Sequence, residues 1–158
     1  MNEQAIQSIV ETVVSKISPK DITLDLAQSV AQKVREKAKK MGVKAVVAIS
    51  NRAACPVLVE SMDDAYIASY DIAVQKAFTV VSLKMSTAAL KPLAQPGGSL
   101  YGIQFTNGGK IVIFGGGEPL KNREGQIVGG IGVSGGTEAQ DTALAAYGKE
   151  IFEKGQYL

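Results

Sequence analysis

Any chemistry done by this chain is done without imidazole. The 158-residue sequence contains no histidine and a single cysteine, Cys55. His-ligated zinc, histidine general bases and Ser-His-Asp triads are therefore excluded. One thiol cannot close an internal disulfide, a usage that fits a reducing cytosol. Cys55 precedes Pro56 in an expected turn and has no histidine to activate it, so it reads as a small filler. A bound metal would need carboxylate, Tyr, Met, Thr or carbonyl oxygen ligands, or ligands brought by a cofactor. No metal site is predicted.

The candidates that remain are glycine turns and a few charged or hydroxyl side chains. Ser134, Gly135, Gly136 and Thr137 end an expected strand and open an expected helix. Their backbone N–H groups would meet an anion at the positive helix end. The same residues also suit a Thr137 cap with glycines for tight packing. Gly115, Gly116 and Gly117 lack the Lys-Ser/Thr of a phosphate-binding loop and open no helix, so a bend or bulge is the simpler reading. The loop of Ser99, Leu100, Tyr101 and Gly102 carries one amphipathic ring between flexible ends and could close over a small ligand. Asn107 stands in the following glycine turn. Asp71 and Lys76 share a helix but lie five residues apart, so each would pair elsewhere. Glu138 and Asp141 are explained by the positive end of the last helix.

The elements that must position these groups follow from periodicity and punctuation. Thr23 caps a helix whose apolar stripe is Leu24, Ala27, Val30, Ala31 and Val34, ending near Met41 and Gly42. Val43 to Ser50 and Val57 to Glu60 read as a hairpin. Asp63 and Asp64 open a helix from about Ala65 to Leu83, and Thr87 to Leu93 forms a short one. Leu100 to Thr106 is expected to be extended and Lys110 to Phe114 to be a strand, bent at the triple glycine and continued by Glu118 to Lys121. Gln126 to Val133 is the last strand, and Glu138 to Phe152 the closing helix. This order predicts an α+β domain with a central antiparallel sheet flanked by helices.

Residues 1–20 stand apart from the domain at 21–158. Ile6, Ile9, Val10, Val13, Val14 and Ile17 form one apolar stripe at helical spacing, and Gln4, Gln7, Ser8, Glu11, Thr12, Ser15 and Lys16 form the opposite face. Ser18-Pro19 ends it. So short a helix is marginal alone and needs a surface: its own domain, a partner's groove or a membrane interface. The last is disfavoured by a polar face poor in Lys and Arg.

Net charge is +2, from 17 basic and 15 acidic residues, which gives no case for nucleic acid. Lys33, Arg35, Lys37, Lys39 and Lys40 alternate with apolar residues as a solvated helix face. No apolar run reaches membrane-spanning length and no signal peptide is evident.

Several segments carry a family resemblance: Met62 to Ala65, Ser69 to Ala73 with Lys76-Ala77, Gln95 to Gly102, Thr106 to Gly109, Ile111 to Gly117 with Pro119, and Ile127 to Thr137 with Gln140-Asp141. From about Ile22 to Ala146 the chain resembles GlcG/HbpS-type proteins and the C-terminal domain of PduO-type proteins. The resemblance implies a profilin-like layered fold and a homo-oligomer. It also implies binding of haem or a related tetrapyrrole, in a setting of cobalamin, glycolate or diol metabolism. The adenosyltransferase domain of PduO-type proteins has no counterpart here. PduO-type relatives can carry a histidine in the stretch matching Ser86 to Leu90, where this chain has Thr87-Ala88-Ala89, so a haem ligand would have to be Tyr, Met, Thr or Cys. Met1 to Ile17 resembles the encapsulation peptides of bacterial microcompartment cargo, which implies shell or cargo partners through residues 1–18 and a place in the cytoplasm or the compartment lumen. Two other readings stand beside the ligand-binding one. One is an enzyme of small-carboxylate or aldehyde metabolism using Asp71, Lys76 or Tyr101 as base. The other is a non-catalytic assembly protein.

Overall fold

The computed structural model describes residues 2–16 and 19–156, without the side chains of Glu11, Val14, Ser15 and Lys16. In chain order the elements are α1 (Glu3–Lys16), α2 (Leu24–Lys40), β1 (Val46–Asn51), β2 (Pro56–Ser61), α3 (Ile67–Leu83), α4 (Thr87–Leu93), two single 3₁₀ turns (Ile103–Phe105 and Asn107–Gly109), β3 (Gly117–Lys121), β4 (Ile127–Ser134) and α5 (Glu138–Glu153). The four strands form one antiparallel sheet in the order β2-β1-β4-β3. The α+β expectation is met.

Alternation along the strands divides the core in two. Val47, Ile49, Ile131 and Val133 face α2 and α5, where Val30, Val34, Leu144, Ile151 and Phe152 complete an aliphatic cluster. Removing each such side chain from water contributes roughly 1.5–3 kcal/mol. Val46 and Ala48 point the other way, onto Ala73 and Ala77 of α3. There α3 lies so close to the sheet that a Cβ on Gly132 would collide with the Ala73 carbonyl. Glycine is thus needed in β4 for close approach, not for its conformational freedom.

Local signals explain most boundaries. Thr23 Oγ1 accepts from Leu26 N at 3.3 Å and starts α2, as expected. Ser86 caps α4 the same way. Thr137 and Gln140 form a reciprocal capping box on α5.

Three expectations fail. Asp63 and Asp64 do not open α3. Asp64 has φ 61° and its carboxylate pairs with Lys44 Nζ at 3.1 Å, and this left-handed backbone keeps it out of the helix. Lys110 to Phe114 is not a strand. Thr79 Oγ1 donates to the Gln75 carbonyl of its own helix (2.7 Å) and accepts from Val112 N (3.0 Å), so a helix side chain takes this segment's amide in place of a neighbouring strand. Leu100 to Thr106 is not extended: Leu100 N donates to the Leu93 carbonyl (2.9 Å), and Gly102 at φ 89° turns the chain into the first 3₁₀ turn.

In α1 the residues Ile6, Ile9, Val10 and Val13 are each about half exposed, so their stripe is uncovered. Ile17, and Ser18 of the expected Ser18-Pro19 stop, lie outside the described residues, as does the side chain of Val14. Among the described residues, no helix is long and apolar enough to cross a membrane.

Candidate functional site

The buried polar residues gather on the α3 side. Ser69, Ala73, Lys76, Ala77 and Val80 share the inward face of α3. Lys76 is wholly buried. Its ammonium donates to the Val133 carbonyl at the end of β4 (2.8 Å) and to Asp141 Oδ2 in the first turn of α5 (3.2 Å). Burial pushes the lysine below its ordinary pKa, while the Asp141 carboxylate draws it part of the way back. Phe114 lies over the same ammonium, 4.9 Å from nitrogen to ring centre. The other oxygen of Asp141 accepts from Gly136 N (2.9 Å). One ion pair therefore ties α3, β4, α5 and the loop before β3 together.

The triple glycine wraps this pair. Gly116 has φ 113°, and a Cβ there would stand 2.6 Å from Lys76 Nζ and 2.7 Å from the Val133 carbonyl. Gly115 N donates to Glu138 Oε1 (3.0 Å), and Gly117 N to Thr87 Oγ1 (2.9 Å). A bend forced by close packing, not a phosphate cradle, is what these contacts describe. Glu138 is held below the ordinary carboxylate range, first by its hydrogen bond from Lys91 (2.6 Å) and then by Gly115 N.

Beside the pair opens a cavity of about 360 Å³, walled by Ile72 and Phe114, with Tyr66 at α3's N-cap and Ser134, Gly135 and Gly136 along the β4–α5 turn. Ser134 Oγ and Ser69 Oγ are 3.1 Å apart within it. A second cavity of about 500 Å³ shares Tyr66, Gly135 and Gly136 and extends to Lys44, Asp64, Thr137 and Gln140. A third, of about 950 Å³, continues from Lys44 and Asp64 to Arg35, Lys39 and Glu60. Together they form a groove, apolar at the Phe114 end and charged at the Arg35 end.

The expected site residues are only partly brought together. Lys76, Gly116, Ser134, Gly135 and Gly136 converge, with Gly115, Gly117 and Thr137 adjoining. The turn's hydrogen-bond donors are largely engaged: Gly136 N by Asp141, Thr137 N by Gln140 Oε1 and Gln140 N by Thr137 Oγ1. Ser99, Leu100, Tyr101, Gly102 and Asn107 line none of these three cavities, and Tyr101 is 63 % exposed. Asp71 is exposed and apart from Lys76, whose partner is Asp141. Cys55 is exposed in the β1–β2 turn and fills nothing. Sequence reasoning assigned Asp141 to the helix end alone and missed Tyr66 and Phe114. The signal for Asp141 was its place one turn into a helix that follows a glycine turn.

The donor set admits haem in one way. Without imidazole, an axial bond to iron needs a phenol, thioether, hydroxyl or thiolate, and a tyrosine stands at the rim of an apolar cavity with Lys44 and then Lys39 further along the groove.

Comparison with known proteins agrees with this architecture. The family model described as "Haem degrading protein HbpS-like" matches residues 22–150. An uncharacterized 15.0 kDa protein of the dhaT-dhaS intergenic region in Citrobacter freundii is 41 % identical over 115 residues, 73 % of this chain and 80 % of that one. The corrinoid adenosyltransferase PduO of Salmonella typhimurium is 39 % identical over 107 residues, 68 % of this chain but only 32 % of its own length. The solved PduOC:heme complex superposes with a TM-score of 0.79 at 33 % identity, covering 82 % of this chain and 94 % of that one. With the glycine-wrapped sheet, the buried Lys76–Asp141 pair and a family model spanning nearly the whole folded region, the chain belongs to the HbpS-like family.

Proposed function

We propose that this protein binds haem or a related tetrapyrrole in the groove that begins at Phe114 and Tyr66. The observation that carries it is the apolar, ring-flanked cavity of about 360 Å³, opening into a groove that runs past the Lys44–Asp64 pair to Lys39. Flat apolar walls suit a macrocycle and lysines suit its carboxylates. The likeness to the PduOC:heme complex supports the same ligand class. Haem supplies a redox-active iron when bound; the chain supplies the wall, the cations and an axial atom. The likeness to PduO supports a setting of cobalamin or diol metabolism. The exposed aromatic and aliphatic surface of Ile67, Tyr70, Tyr101 and Phe105 suits contact with further copies of the chain.

The uncovered stripe of α1 supports a second part of the reading: residues 1–18 dock the domain as cargo of a bacterial microcompartment. Titrating purified protein with ferric haem should give a Soret shift that saturates at a fixed stoichiometry. Absorbance that rises linearly without saturation would sink ligand binding. Fusing residues 1–18 to a fluorescent reporter in a shell-forming host should give puncta, and diffuse fluorescence indifferent to the shell would refute targeting.

A further inference from the structure

The groove raises a question that the sequence makes acute: which atom reaches the iron. The described donors can be sorted by position. Cys55 lies beyond Asn51, at the far end of β1 from Val46, which pairs with Ser134 at the cavity. Met62 Sδ accepts from Ala45 N (3.4 Å), and Met62 and Met41 pack against the aliphatic cluster. Met85 follows the C-terminus of α3, about 25 Å along a helix of this length from its start. Ser69 and Ser134 hydrogen-bond each other. Tyr147 carries Lys37 over its ring at 4.8 Å and packs against the aliphatic cluster. Tyr70 and Tyr101 are exposed but line none of the three cavities.

The Thr137 hydroxyl, on the second cavity, accepts from Gln140 N, and the Thr79 and Thr87 hydroxyls accept from Val112 N and Gly117 N. Tyr66 differs from all of these. It lines both the apolar cavity and the cavity that runs on to Lys44, so it stands where the two meet. It is 73 % exposed at the start of α3, and its hydroxyl has no partner among the described residues. Lys44, further along the same groove, is paired with Asp64 at 3.1 Å.

We infer that Tyr66 supplies the axial oxygen to haem iron in this histidine-free chain. The inference rests on the haem reading above and names the ligating residue of that site. Phe114 and Ile72 wall the ring on the apolar side, and Lys44 lies on the side open to the porphyrin carboxylates.

The experiment uses the whole protein, ferric haem, and the variants Tyr66→Phe, Tyr66→His, Tyr70→Phe and Tyr101→Phe, each first checked for an unchanged melting temperature. The readouts are binding affinity and resonance Raman bands of iron-bound tyrosinate. Wild type, Tyr70→Phe and Tyr101→Phe should show those bands. Tyr66→Phe should lose them and bind about tenfold or more weakly, and Tyr66→His should replace them with an iron–imidazole stretch. Tyrosinate bands that survive Tyr66→Phe, or a saturable wild-type complex without them, would overturn the assignment while leaving haem binding intact. A wild-type chain that never saturates would overturn both.

Discussion

The two faces of the sheet are built on opposite plans. Towards α2 and α5 the contact is thick and apolar, from Val34, Val47, Ile49, Ile131, Leu144 and Phe152. Towards α3 it is thin: glycine and alanine bring the helix backbone against the strands, and the groups between are Lys76, Ser50, Ser69, Thr79 and Ser134. Ser50 Oγ, for example, donates to the Ala77 carbonyl at 3.1 Å. The first face contributes non-directional burial, which tolerates substitution of similar volume. The second holds buried polar groups whose partners are fixed, and a partner lost there leaves a desolvated group behind. The groove opens at the edge of the second face.

The sharpest way to break this contrast is Lys76→Met. It strands the Asp141 carboxylate, which is 4 % exposed, and should cost about 3–5 kcal/mol in urea unfolding. Adding Asp141→Asn removes the stranded charge while leaving an oxygen for Gly136 N, so the double variant should be more stable than Lys76→Met alone. A Lys76→Met loss no larger than that of an exposed lysine variant would mean the polar face is not held by this pair.

The aliphatic face should answer differently. Leu144→Ala leaves a cavity in the α2–α5 layer and should cost about 2–5 kcal/mol. Leu144→Met, close in volume, should recover most of that, whereas no apolar residue can replace Lys76 singly. If Leu144→Met proved as damaging as Leu144→Ala, the claim that this face is tolerant would fail.

How much of this was legible follows from the same division. Helices α2 and α5 announced themselves through Thr23 and Thr137, because caps are local chemistry. The hairpin β1–β2 was readable from its branched residues. The segment at 110–114 was not, because its Val112 amide goes to Thr79, some thirty residues earlier in the chain. Lys76 could be singled out as a charge on an otherwise apolar helix stripe. Its partner could not, since Asp141 lies 65 residues on and meets it only after β4 and the glycine turn are in place. Tyr66 fell inside the helix expected from Ala65 with no signal of its own, and only the meeting of two cavities gives it a role.

The smallest expected effect compares two carboxylates in one turn of α5. Asp141 faces inward to Lys76, and Glu138 faces outward to Lys91 and Gly115 N. Glu138's pKa is lowered in the folded chain, so in mildly acidic solution the unfolded chain binds the proton more readily. Its contribution is therefore complete above the ordinary glutamate value of about 4.3 and fades as pH falls through the lower folded value. Glu138→Gln should lose a little stability at neutral pH, and its unfolding curve should converge with that of wild type in strong acid. Added salt should shrink the neutral-pH difference, since the Lys91 pair is open to water. The Lys76→Met loss should resist salt, because its pair is enclosed. Equal salt sensitivity in the two variants would erase the distinction between the enclosed carboxylate and the open one, and with it the argument that the glycine-lined face is sealed around its charges.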